Sequence, residues 1–123
     1  MNIDDLLKIA SLLDGPSNSL VSEGLNSMLG EKVIIRTYSA GVWFGTLSQK
    51  SGEEVIITNA RRMWRWWAAE SISLSAVAIH GVKHEKSKIV EPVDSVWLKA
   101  IEIIPCKKAG IDSLEGAPNV KAE

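Results

Sequence analysis

Three strand-like runs follow one another from residue 33 with only turn-length breaks between them, and this spacing leaves few architectures open. Residues 33–38 (VIIRTY) are rich in β-branched side chains. Ser39, Ala40 and Gly41 can turn, residues 42–48 (VWFGTLS) make a second run, a polar loop of hairpin length covers 49–53, and residues 54–58 (EVIIT) make a third. Gly45 inside the second run points to a bulge or a close backbone approach. A short break at Asn59 and Ala60 precedes a fourth run, 61–67. Residues 88–90 predict a short strand and 95–104 a long one, ended by Pro105.

Loops this short make neighbouring strands antiparallel, and three of them curl as a meander, the basis of an SH3-like or similar small barrel. The expected class is α+β, mostly β: a barrel-like antiparallel sheet with an N-terminal helical extension and one short internal helix. The extension covers residues 1–30, where Ile3, Leu6, Leu7, Ile9, Ala10 and Leu13 recur at helical spacing. After a turn at 14–18, Ser19 caps a second helix that Gly30 stops. The internal helix begins at Ser71 or Ser73, carries Leu74, Val77 and Ala78 on one face, and stops at Gly81. The core domain is then 31–106, and 107–123 is expected to be a flexible C-terminal tail.

With 123 residues, 46% apolar and 24% charged, the chain fits one ordinary folded domain. No apolar run approaches a membrane span, and the acidic start (Asp4, Asp5) lacks the features of a secretory signal, so the expected compartment is the cytoplasm with no membrane partner. Cys106 is the only cysteine, which excludes an internal disulfide. Neither a Walker loop nor a nucleophile elbow is present, so no enzyme activity and no cofactor are expected. Net charge is −1, which argues against nucleic acid as a partner. The charge is uneven, however: residues 60–90 hold six basic and two acidic side chains, a local +4, leaving −5 for the remainder. An anionic ligand suits such a face.

The segment Arg61-Arg62-Met63-Trp64-Arg65-Trp66-Trp67 holds three of the five tryptophans and three of the four arginines. On a strand, Arg62, Trp64 and Trp66 point one way and Arg61, Met63, Arg65 and Trp67 the other. One face can enter the core, and the other then presents Trp beside Arg. An indole offers a flat surface to a base, and a guanidinium forks onto phosphate. The same pair also anchors protein interfaces, or the arginines simply shield core tryptophans. Tyr38 and Trp43 on the first hairpin join the candidate ligand-binding set, as do His80, Lys83 and His84. The histidines stand four apart, but with Gly81 between them and no third ligand they do not make a metal site.

The run from Val33 to Leu47 (VIIRTYSAGVWFGTL), with residues 59–66 (NARRMWRW) and 100–106 (AIEIIPC), resembles a family of small proteins carried by tailed phages and prophages. The similarity covers about residues 31–111. It implies a setting inside an infected bacterium and no particular site residues. The functional expectation is therefore a non-enzymatic counter-defence protein. It would form a homo-oligomer and sequester a nucleotide-derived immune signal, of the cyclic nucleotide or cyclic ADP-ribose type. Arg61, Arg62 and Arg65 would hold phosphates, with Trp64, Trp66 or Trp67 stacked on a base. The alternative is a virion component or a direct inhibitor of a host protein, with the Trp/Arg cluster as its interface.

Overall fold

A computed structural model describes residues 28–120, so the helices expected before Gly30 lie outside the described residues. Five strands form: β1 (Lys32–Thr37), β2 (Val42–Ser51), β3 (Glu54–Arg65), β4 (Lys88–Ile89) and β5 (Val93–Pro105). All pairings between them are antiparallel. β1 pairs with β2 and β5, and β3 pairs with β2 and β5, so these four strands close a small barrel, with β4 added along the far end of β3. Inside lie Val33 and Ile35 of β1, Trp43 and Leu47 of β2, Val55, Ile57 and Ala60 of β3, and Leu98 and Ala100 of β5. Gly45 is required where β2 crosses β3, because a Cβ there would sit 2.9 Å from the Thr58 carbonyl oxygen.

The third and fourth expected strands are one continuous strand. Asn59 adopts a left-handed conformation (φ 48°) within β3, and the pairing with β2 shifts across Phe44 and Thr46. This bulge reverses the alternation. Val55 and Ile57 enter the barrel before it, Ala60 does so after it, and Arg61 and Met63 turn to the opposite face.

That opposite face makes a second core with two helices, α1 (Leu74–His80) and α2 (Lys108–Gly116). Ser73 caps α1 by accepting from the Ala76 N–H at 3.1 Å, and Gly81 (φ 90°) ends it. Ile34, Phe44, Met63, Val77, Ile89 and Leu114 meet between sheet and helices. Where a loose tail is expected from residue 107, the chain instead forms α2 and packs on the second core. α2 buries Leu114 completely, and Ala117 beyond it is also buried. Spacing alone did not reveal it, because its packing rests on a glycine and only two apolar residues, Ile111 and Leu114. No helix among the described residues is long and apolar enough to cross a membrane.

Candidate functional site

The basic tryptophan segment divides in two at the surface. Arg61, expected to hold a phosphate, is buried and fully committed within the protein. Its Nε donates to the Val90 carbonyl at 2.9 Å and its Nη1 to the carbonyls of Leu114 and Ala117, each at 2.8 Å. Nη2 donates to the Ile89 carbonyl at 3.3 Å and to Asn119 Oδ1 at 2.8 Å. All five donors are used, and loss of hydration lowers the guanidinium pKa from its ordinary value. Arg61 is a structural clamp joining β3, β4 and the end of α2. Trp43 is likewise interior: its indole closes the end of the barrel core, and its N–H donates to the Ala40 carbonyl at 3.0 Å.

The rest of the segment is accessible. Arg62 lies over the Trp43 ring at 4.5 Å, two residues before Trp64 on the same side of β3. Trp64 is 66% exposed, and Lys88 of β4 stands over its ring at 5.9 Å. Arg65 is exposed at the strand end. Trp66 is half-buried against the helical core, while Trp67 is 52% exposed with Lys86 over its ring at 4.9 Å. The Trp67 backbone N–H donates to Ser87 Oγ, and its backbone carbonyl accepts from the Lys83 N–H, which anchors the chain at Trp67 beside the 84–88 segment. Trp66, Trp67, Ala68, Ser71 and Ile72 line a shallow hollow of about 250 Å³, with Ser71 in a left-handed conformation (φ 64°) at its rim. Among the described residues, no carboxylate is paired with Arg62, Arg65, Lys86 or Lys88.

The result is a surface of alternating indoles and cations that have no carboxylate partner among the described residues. It can take an aromatic group by stacking and an anion by charge-assisted hydrogen bonds. A family model described as a domain of unknown function (DUF6948) matches residues 30–114, which spans the barrel, α1, β4 and most of α2. The chain belongs to the DUF6948 family. No curated protein and no solved structure matches it. Within this DUF6948 domain the Trp/Arg segment is thus both frame and surface, with Arg61 and Met63 holding the sheet to the helices and Arg62, Trp64 and Trp67 facing out.

Other expected site residues fall elsewhere. Tyr38, 91% exposed at the β1–β2 turn, lines a separate groove with Trp97 and Ile101. His80 is exposed at the end of α1. His84 Nε2 lies 2.9 Å from the Ser113 carbonyl, so the histidine is engaged with α2. Among the described residues, no three His, Cys, Asp or Glu side chains gather where a metal could be held. Neither Lys86 nor Lys88 belongs to the expected set. Both belonged to the basic excess of residues 60–90, but only the pairing of β4 with β3 brings them onto the tryptophans.

Proposed function

We propose that this domain is a non-enzymatic binding protein that holds a nucleotide-bearing anion on the Trp64–Trp67 surface. The reading is carried by one observation: two exposed indoles each lie under a lysine ammonium that has no carboxylate partner among the described residues. A base stacks on indole for about 1–3 kcal/mol, and displaced lysines together with Arg62 and Arg65 take the phosphates. In the phage setting that the sequence resemblance implies, such a site would serve to sequester a nucleotide-derived immune signal in the host cytoplasm. Sequestration needs no catalytic group, only affinity of about −8 kcal/mol or tighter at stoichiometric protein.

Isothermal titration calorimetry against cyclic mononucleotides, cyclic dinucleotides and ADP-ribose tests this. At least one is expected to bind submicromolarly, with Trp64→Ala and Trp67→Ala each weakening it by roughly 10- to 100-fold. Absence of heat across the panel, together with a host protein co-purifying through the same tryptophans, would hand the surface to protein recognition instead.

A further inference from the structure

The domain carries a second exposed aromatic surface, and its charges differ in kind from those of the first. Tyr38 is 91%, Trp97 68% and Ile101 48% exposed. With Glu53, Leu98 and Lys99 they border a groove of about 460 Å³ along β5. The groove lies away from the helices, which cover the Ile34, Phe44 and Met63 side of the sheet. Trp97 stands opposite Ile56 of β3 and donates its indole N–H to Glu54 Oε1 at 2.8 Å, so the ring is fixed although exposed. Lys99 Nζ lies 3.6 Å from Glu53 Oε1. An adjoining groove continues past Ile101 to Lys50 and Glu102, and Glu102 is paired with Arg36 at 2.8 Å.

We propose that this face docks a second copy of the chain about a two-fold axis. A two-fold contact sets one patch against itself, so the patch must be self-complementary in charge. Around Tyr38, Trp97 and Ile101, the acids Glu53, Glu54 and Glu102 are matched by Lys50, Lys99 and Arg36, and neither sign dominates. Lys99 of one copy can then meet the partner's Glu53 while the aromatic residues exclude water between them. The Trp64–Trp67 surface fails the same criterion, because Arg62, Arg65, Lys86 and Lys88 would face their own like charges. Its charge selects an anion, and the balanced charge here selects a copy of the same chain. An extended anionic partner is disfavoured on this face by its three glutamates.

Sedimentation velocity of the full chain over a dilution series decides the matter. A reversible monomer–dimer equilibrium is expected. Trp97→Ala and Lys99→Glu should each raise the dissociation constant at least about tenfold, and the double exchange Glu53→Lys with Lys99→Glu should restore much of the loss. Lys99 is 75% exposed, so its variant tests the contact with little risk to folding. A monomer at every concentration overturns the proposal. So does a dimer indifferent to both single substitutions. A monomer whose Trp97 is shielded from hydroxyl radicals overturns it too, and would assign the face to the chain's own first 27 residues.

Discussion

Arg61 shows how much one side chain can decide. It carries no carboxylate partner among the described residues and is held instead by four carbonyl oxygens and an amide oxygen. Two of those carbonyls, from Leu114 and Ala117, belong to the C-terminal end of α2, whose last turn has no basic residue of its own. The guanidinium therefore caps the negative end of that helix from a strand. Arg61→Ala should cost about 3 kcal/mol or more, because several buried carbonyls lose their donor at once. Arg61→Lys should recover only part of this, since an ammonium has three donors and no fork. Arg62→Ala should cost about 1 kcal/mol or less, the worth of an exposed cation–π contact. Urea denaturation of the three variants gives the order directly. Cys106 makes a separate prediction. Burial pushes its thiol up from 9.0 to about 12. Above pH 9 the unfolded chain ionises this thiol while the folded chain keeps it protonated, so its contribution to stability is full below pH 9 and is lost towards pH 12. Thermal unfolding of wild type and Cys106→Ala across that window should show wild type losing more. From sequence, adjacent arginines among tryptophans look like one surface cluster. What separates Arg61 from Arg62 is the strand alternation together with the reversal at Asn59, and the direction of that reversal is not written in residue types.

At the scale of elements, the strands and α1 were legible because each has a strong local signal: branched runs in β1 and β3, a serine cap and glycine stop around α1. The junction at Asn59 and Ala60 was visible too, although a left-handed asparagine bends a strand as readily as it ends one. α2 was not legible. Gly110 sits in its first turns, and a glycine inside a helix ordinarily argues against one. Here it lets α2 approach α1, since a Cβ on Gly110 would come within 2.3 Å of the Ala78 carbonyl oxygen. This reverses the usual sign of a substitution. In an exposed helix Gly→Ala stabilises by about 1 kcal/mol, whereas Gly110→Ala should destabilise by about 1–3 kcal/mol by forcing the two helices apart. Thermal denaturation distinguishes the two outcomes by direction alone.

For the molecule as a whole, the charge asymmetry of residues 60–90 was readable in composition, but its consequence depends on the fold. The barrel places Lys86 and Lys88 on the tryptophans of β3 and its extension, and leaves Trp97 and Tyr38 on another face beside balanced charges. The five tryptophans are thereby sorted: Trp43 inside, Trp66 half-buried, Trp97 on the face proposed for a second copy, and Trp64 and Trp67 under Lys88 and Lys86. Each indole N–H is a separate reporter in a nitrogen–proton correlation spectrum. Titrating the protein with cyclic nucleotides should shift the Trp64 and Trp67 signals progressively and leave Trp97 in place. Signals that stay fixed throughout, or that move only at Trp97, would contradict a ligand site on the basic tryptophan surface.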